Sequence, residues 1–254
     1  MKLPFDFPLF QNPGLVHYVF ETMAFVVGMQ VYYAHRKKIT DHISDKNRLL
    51  ILAGAISGAL LGSRLVAVLE NPQAIASLTL SEIYQSKTIA GGLAGGLFGV
   101  ELIKKCIGVN TASGDLYVLP IITAVFIGRI GCFLSGVAEP TFGIETTFFT
   151  GMDLGDGVQR HPIALYEMFF LLLLWIVFRK IKNYRIINGD RFKLFMILYF
   201  LFRFLVEFLK PFHPLIAGLS SIHLTCLFIY IYYHRFLLRI TNLKSHEDQR
   251  LRLL

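Results

Sequence analysis

The residue of this sequence that most directly suggests chemistry is Arg129. It closes an apolar segment, in the run Phe-Ile-Gly-Arg-Ile-Gly-Cys-Phe-Leu-Ser-Gly at residues 126–136, with Gly128 and Gly131 close beside it. An arginine at membrane depth costs about 2.5–3.5 kcal/mol on insertion scales, so it usually faces the protein interior or a wet cavity and has a partner there. The two glycines leave the nearby backbone open to a ligand or to another helix. The alternative is an interfacial arginine whose side chain reaches towards the lipid headgroups.

Other ionisable residues also fall inside apolar segments. They are Glu21, Arg64, Glu101, Glu167, Arg203 and Glu207. Together with Arg129 their charges nearly balance, so we expect some of them to pair inside a helix bundle. Such pairs can simply fix the register of packed helices. A cluster of guanidinium groups also suits a phosphate, which arginine binds through a planar pair of donors, and in a bilayer the obvious phosphate belongs to a phospholipid headgroup.

The composition indicates a membrane protein. Of the 254 residues, 54% are hydrophobic, the mean hydropathy is +0.56, and the apolar residues come in long blocks, which is typical of chains that cross a membrane several times. The net charge is +8, but the basic residues cluster in short loops and the tail, where they set topology. We therefore expect no nucleic acid partner. The first eight residues contain two prolines and do not resemble a cleavable signal peptide.

Seven apolar segments are long enough to cross about 30 Å of hydrocarbon as helices, at about 20 residues each. We place them near residues 15–34, 49–69, 88–107, 115–135, 162–179, 192–210 and 219–236. The sequence thus predicts an all-α, polytopic protein with a single integral-membrane domain over residues 1–254. Because lysine and arginine accumulate in the odd-numbered loops, we expect the N-terminus outside and the C-terminus in the cytoplasm. Loop 137–161 is then external, and the basic tail 237–254 is cytoplasmic.

Three segments combine chemistry with helical spacing. Tyr199, Arg203 and Glu207 are four residues apart and share one face of the sixth span. The fifth span opens with His161-Pro-Ile-Ala-Leu-Tyr-Glu, in which proline suits the first helical turn. The third span carries Gly-Gly-Leu-Ala-Gly-Gly-Leu-Phe-Gly at residues 91–99, and close helix packing is the simplest explanation of these glycines.

The three cysteines lie in or near apolar segments without paired spacing. We therefore expect neither a disulfide framework nor a metal site. The sequence also lacks a phosphate-binding loop of the Walker type, so no cofactor is expected. Cys132 is expected to pack as a small apolar residue, and the alternative is a nucleophile that forms a covalent intermediate.

Several of these segments together resemble the bacterial prolipoprotein diacylglyceryl transferase family. They are Gly-Arg-Ile-Gly-Cys-Phe-Leu-Ser-Gly, His-Pro-Ile-Ala-Leu-Tyr-Glu, Tyr199-x-x-x-Arg203-Phe-x-x-Glu207-Phe, the glycine run of the third span and the Gly62-Ser-Arg64 turn. The resemblance extends from the second to the sixth span. The family moves an sn-1,2-diacylglyceryl group from phosphatidylglycerol to the lipobox cysteine of a prolipoprotein and releases glycerol 1-phosphate. The resemblance implies these substrates, or another thiol acceptor, in the bacterial cytoplasmic (inner) membrane.

The resemblance also implies roles for individual residues. Arg129 and Arg203 would grip the phosphate, Tyr199 would lie beside it, and His161 is a candidate base, so these four are the expected catalytic residues. The expected substrate-binding residues are Arg64, Tyr166, Glu167, Glu207, Gly95, Gly96, Gly128 and Gly131.

Five positions depart from the family pattern. Cys132, Ser135 and Val137 replace two asparagines and a glutamate, Ala94 replaces a histidine, and Ala164 replaces a glutamine. The phosphate-gripping arginines are retained, whereas several orienting polar groups are not. The pattern is similar to a divergent branch of the family.

Two other functions are compatible with such a sequence. One is a phospholipid-binding membrane protein that kept the anion site and lost turnover. The other is a small-solute transporter, which would need polar residues at the midplane and often shows an inverted repeat. No internal repeat is evident here.

Overall fold

The structure is a computed structural model, and it describes residues 12–38, 43–72, 75, 79–181 and 187–240. Most of these residues are helical. The helices are α1 (Pro13–Arg36), α2 (Asp45–Val68), α3 (Leu80–Gln85), α4 (Ile89–Cys106), α5 (Val118–Leu134), α6 (Ile163–Ile181), α7 (Asp190–Glu207) and α8 (Ser221–Tyr232). Two short antiparallel strands, β1 (Met152–Asp153) and β2 (Gln159–Arg160), form a hairpin in which Met152 pairs with Arg160.

Side-chain caps explain where several helices begin. The Asn12 side chain accepts a hydrogen bond from the backbone N–H of Leu15, and Pro13 occupies the first turn of α1. Thr88 caps α4 in the same way by accepting from Gly91. At α8, Ser220 and His223 form a reciprocal capping box, with His223 in the place that glutamate usually takes.

Three helical stretches of the described residues are both long and apolar enough to cross a membrane. They are Pro13–Arg36, Asp45–Val68 and Asp115–Leu134. Helices α4, α6 and α7 are comparably long but more charged; α4, for example, carries Glu101, Lys104 and Lys105. The prediction of a mainly helical membrane protein is therefore confirmed. The hairpin β1–β2 is a small exception to the all-α prediction.

The last predicted span differs most from its helix. We predicted residues 219–236, whereas α8 ends at Tyr232 because Tyr233 leaves the helical region, at φ −95° and ψ 12°. Residues 234–240 are helical again. The predicted basic tail 237–254 lies outside the described residues beyond Ile240.

The chain divides into two compact units. The first unit comprises residues 1–48, 109–192 and 205–212, and the second comprises residues 49–108, 193–204 and 213–254. In the first unit, α5 packs against both α1 and α6. Gly131 of α5 permits this contact, because a Cβ atom there would lie 2.7 Å from the Cβ of Phe20 on α1.

In the second unit, α2 and α4 touch through their backbones. A Cβ atom on Gly95 would lie 2.2 Å from the carbonyl oxygen of Gly58, and one on Gly58 would lie 2.3 Å from that of Gly95. Gly62 with Gly91 and Gly54 with Gly99 repeat this contact along the two helices. The glycine run thus forms a close-packed helix surface, which is its simplest explanation from the sequence.

Candidate active site

A buried ion pair joins α5 to α6 in the first unit. The Arg129 Nη2 atom lies 2.8 Å from the Glu167 Oε2 atom, and the two side chains are 8% and 0% exposed. Removing charged groups from water is costly unless they pair, so this contact allows both charges to remain in an apolar bundle. The expectation that the ionisable residues of the spans pair with one another is confirmed for these two.

The backbone around Arg129 is open on one side and packed on the other. A Cβ atom added at Gly128 would meet none of the described residues within 4 Å, whereas one at Gly131 would run into Phe20. The two glycines of the motif therefore act differently. Gly131 brings α1 close to α5, and Gly128 leaves room beside Arg129.

A second set of polar contacts lies one turn further along α5. We call it the Cys132 cluster, and it consists of His17, Arg129, Cys132 and Glu139. The Arg129 Nη1 atom lies 3.6 Å from the Cys132 sulfur, which lies 3.9 Å from His17 Nδ1. The same His17 nitrogen lies 3.5 Å from Glu139 Oε1, and His17 Nε2 lies 3.9 Å from Glu21 Oε2.

Sequence reasoning missed the Cys132 cluster. The only sequence feature that pointed to it was His17, one turn before Glu21 in an apolar segment. That pair did not indicate that His17 contacts Cys132, 115 residues further along the chain. The expectation that Cys132 is only a small packing residue is incomplete. Cys132 is buried, yet its sulfur contacts an imidazole and a guanidinium.

The side chains of His161 and Tyr166 are in contact. The His161 Nδ1 atom lies 3.0 Å from the Tyr166 hydroxyl, which also makes a hydrogen bond with the Thr150 hydroxyl of loop 137–161. Backbone bonds to Gly143 and Ile144 hold His161 in place. Thr150 was not predicted, because only the folded loop brings it to Tyr166.

The hairpin shapes the rest of this loop. The Asp153 carboxylate accepts hydrogen bonds from the backbone N–H groups of Gly155 and Gly157. Arg160 donates to Asp156 at 2.8 Å, and this contact holds the pKa of the Asp156 carboxyl below its usual value. The loop is therefore a built turn with its own polar contacts rather than a plain connection.

The departures from the family pattern have structural partners in the first unit. Cys132 and Ala164 both line a small, largely apolar cavity with Thr141, Phe142, Leu154 and Pro162. The Ser135 hydroxyl donates to the carbonyl oxygen of Pro13, and the Val137 backbone N–H donates to that of Leu154. Ser135 and Val137 thus tie the end of α5 to α1 and to the loop that carries Leu154.

The second unit holds Arg64, Tyr199 and Arg203. Tyr199 is fully buried, with its ring stacked at 5.9 Å on Phe195 of the preceding turn, and Arg203 is only 4% exposed. Arg64 donates to the Ser63 hydroxyl at 2.8 Å, and its guanidinium lies 5.4 Å from the ring centroid of Tyr84. Gly95 faces the α2 backbone. A Cβ atom on its neighbour Gly96 would lie 3.4 Å from the carbonyl oxygen of Ala55, which is an ordinary contact.

Helix α7 carries Tyr199, Arg203 and Glu207 at successive i, i+4 positions, as predicted. Glu207 belongs to the first unit, is 1% exposed, and lies 3.7 Å from Lys210 Nζ. Of the expected site residues, the first unit thus holds Arg129 with Glu167, His161 with Tyr166, the two glycines of the Arg129 motif, and Glu207. Within the described residues, no group of three histidine, cysteine or carboxylate side chains is arranged to hold a metal ion.

Comparison with known proteins places this chain in a family. A sequence model of the family described as prolipoprotein diacylglyceryl transferase matches residues 16–238. A phosphatidylglycerol–prolipoprotein diacylglyceryl transferase of Wolbachia sp. subsp. Brugia malayi (strain TRS) is 32% identical over 215 residues, which cover 78% of this chain and 79% of the relative. The enzyme of that name from Ehrlichia ruminantium (strain Welgevonden) is 28% identical over 220 residues, covering 80% and 83%. The chain belongs to the prolipoprotein diacylglyceryl transferase family.

Proposed function

We propose that this protein moves a diacylglyceryl group from phosphatidylglycerol to the cysteine thiol of a prolipoprotein, at the outer leaflet of the bacterial inner membrane. Family membership and the names of its relatives support the reaction. The observation that carries the proposal is the buried pair of Arg129 and Glu167, which holds a guanidinium in a fixed orientation among apolar helices.

The reaction needs a cation where the phosphate leaves. The acceptor thiolate attacks the glyceryl carbon that bears the phosphate, the C–O bond breaks, and glycerol 1-phosphate departs with the bonding electrons. Charge grows on the phosphate oxygens, and a cation already oriented in a dry site stabilises that charge most effectively. Glu167 orients Arg129 before substrate binds, so little reorganisation is needed during the reaction.

We assign the second guanidinium to Arg203. It is buried on α7 with Tyr199 one turn before it and Glu207 one turn after it. In this proposal Arg203 binds the phosphate, Tyr199 lies beside the headgroup, and Glu207 orients Arg203. Arg64, near the C-terminal end of α2, is assigned to binding of the phospholipid headgroup. Gly95 acts through the close packing of α4 on α2, whereas a Cβ atom at Gly96 would make only an ordinary 3.4 Å contact.

His161 is the proposed base for the acceptor thiol. A thiol with a pKa near 8.5 is mostly protonated at neutral pH, so a neighbouring base must remove its proton. The Tyr166 hydroxyl contacts the ring of His161 and is itself held by Thr150, which fixes the orientation of the imidazole. This arrangement compensates for the family histidine that Ala94 replaces.

We propose seven spans with the N-terminus outside. The distribution of basic residues supports this orientation: Arg36 ends α1 and is followed by Lys37 and Lys38, and Arg179 and Lys180 lie in the last turn of α6. Loop 137–161 then lies outside as part of the single membrane domain, next to the prolipoprotein that it would admit. Helices α4, α6 and α7 carry too many charged side chains to count among the most apolar helices. In this proposal they still cross the membrane, because their charged side chains pair with one another inside the helix bundle.

The test is a transfer assay in nanodiscs with labelled phosphatidylglycerol and a lipobox peptide. We expect lipidated peptide and glycerol phosphate from the wild type, and a rate about 100-fold to 1,000-fold lower for Arg129→Ala, since removing one preorganised donor has an effect of that size. Arg203→Ala should lose activity as well. Arg179→Ala, an exposed arginine at the far end of α6, is the matched control and should keep the wild-type rate.

The outcome separates the transferase from a phospholipid-binding protein without turnover. If the folded wild type retains labelled lipid, but neither glycerol phosphate nor lipidated peptide forms, the proposed transfer to prolipoprotein is wrong. Folding of each variant is checked by size-exclusion chromatography and by its melting temperature in the same detergent.

A further inference from the structure

The Cys132 cluster contains a thiol and an imidazole, Cys132 and His17, to which the proposed diacylglyceryl transfer assigns no role. A thiol, an imidazole and a carboxylate follow one another: Cys132 sulfur to His17 Nδ1 at 3.9 Å, and His17 Nε2 to Glu21 at 3.9 Å. A second carboxylate, Glu139, lies 3.5 Å from His17 Nδ1, and Arg129 lies 3.6 Å from the sulfur. Enzymes that transfer acyl groups through a thiol use the same arrangement, in which a base contacts the nucleophile and a carboxylate orients the base.

We propose that Cys132 is the nucleophile of a second activity, in which it accepts an acyl group from a glycerophospholipid ester and forms a thioester. His17 is the base. The proposal rests on the proposed function in one respect, because it uses the same phospholipid held by Arg129.

The surroundings of the sulfur favour its reactive form. The thiolate is the nucleophile, and a neighbouring arginine or protonated histidine stabilises it. Both types of residue contact Cys132, and they arrive from different helices, α5 and α1. Two carboxylates face the imidazole and favour its protonated state after it has taken the thiol proton.

The chemistry of the phospholipid favours attack of Cys132 on an ester carbonyl rather than on the glyceryl carbon. A phospholipid bound by its phosphate offers two kinds of electrophile a few bonds away, the glyceryl carbon and the acyl carbonyls. Attack of Cys132 on the glyceryl carbon would give a thioether, which has no easy route off the enzyme. Attack on a carbonyl gives a thioester, which water or another nucleophile can discharge.

The reaction needs only the phospholipid and water as reactants. The Cys132 sulfur forms a bond to the carbonyl carbon, and His17 takes the thiol proton. The ester C–O bond then breaks, and His17 returns the proton to the departing alkoxide of the lysophospholipid. Water hydrolyses the thioester in the second half, with His17 as base. Arg129 stabilises the negative charge on the sulfur and on the tetrahedral intermediate.

The cavity beside Cys132 is small and lined mostly by apolar side chains. Its lining includes Phe133, Phe142, Leu154 and Ile163, together with the small Ala164. Cys132 and Ala164 thus give this cavity a thiol and a small apolar surface.

The experiment uses the wild-type protein in nanodiscs with phosphatidylglycerol labelled in the acyl chains or, separately, in the glyceryl group. After quenching and denaturation, we expect a covalent adduct that carries the acyl label only, maps to Cys132 by mass spectrometry, and is released by neutral hydroxylamine. His17→Gln should slow adduct formation about 100-fold, the lower end of the usual contribution of a general base.

The other cysteines are the internal controls. Cys106 is exposed and Cys226 is buried, so simple exposure would favour label on Cys106. The Cys106→Ala/Cys226→Ala double variant should form the adduct at the wild-type rate.

Three results overturn the proposal. They are label on Cys106, no adduct in protein that still binds the lipid, and a hydroxylamine-resistant adduct that keeps the glyceryl label. Peptide lipidation in the same sample reports separately on the proposed function, so transfer to peptide without a thioester refutes the second activity alone. A thioester without peptide lipidation refutes the proposed transfer alone.

Discussion

The α5–α6 contact and the α2–α4 contact are specified in opposite ways. The first includes a buried ion pair between Arg129 and Glu167. The second depends on the absence of side chains, since the backbones of Gly58 and Gly95 touch. A charged pair fixes the orientation of a functional group as well as the register of two helices, whereas glycines determine only how closely the helices approach. We infer that the first contact serves chemistry and the second serves packing.

Removing one partner of the ion pair should have the largest effect on stability. Glu167→Ala leaves Arg129 as an uncompensated buried charge, which typically costs about 3–5 kcal/mol of the free energy of unfolding. We expect a clear drop in melting temperature in detergent, together with loss of transfer activity. A melting temperature equal to that of the wild type would contradict the idea that this pair holds α5 against α6.

The double variant Arg129→Met/Glu167→Met separates packing from chemistry. Replacing a buried ion pair by apolar residues of similar volume is often neutral or stabilising. We therefore expect the free energy of unfolding to recover to within about 1 kcal/mol of the wild type, while transfer stays absent because no guanidinium remains at position 129. Recovery of activity would show that the pair is structural only.

A smaller loss is expected at the glycine contact. Gly95→Ala puts a Cβ atom 2.2 Å from a backbone oxygen, so α2 and α4 must separate, and overpacking of this kind costs about 1–3 kcal/mol. Gly96→Ala is the matched control, because its Cβ atom makes only a 3.4 Å contact and alanine favours a helix. The comparison is made by melting temperature, and equal destabilisation by the two variants would refute the packing explanation.

The smallest effect is expected for the exposed ion pair of the hairpin. Arg160 lowers the pKa of Asp156, so the pair adds stability above the pKa of the unfolded carboxyl, and that stability is lost as the pH falls through the lowered folded value. At neutral pH, Asp156→Asn should speed amide hydrogen exchange in residues 152–160. Well below the folded pKa, wild type and variant should exchange alike. A difference that persists in acid would mean that the ion pair is not the cause.

The sequence predicted the chemistry of this site better than its geometry. Buried arginines and glutamates imply pairing wherever they occur, because an isolated charge in a bilayer is too costly. Which charges meet depends on how the helices pack, so the contact of Arg129 with Glu167 could not be singled out. The short hairpin and the hydrogen bond between the hydroxyls of Thr150 and Tyr166 also escaped prediction, since loop geometry leaves little periodic signal.

By itself, the sequence determined the membrane environment, the family and the residue types of the site. Apolar blocks and motifs are local patterns of residues, so they can be recognised in the sequence without knowledge of the fold. Only the tertiary structure decided that Cys132 lies between His17 and Arg129, because that contact joins residues 115 positions apart. A cysteine in an apolar segment looks the same in the sequence whether it packs or reacts. The difference arises from the groups that the fold places around its sulfur.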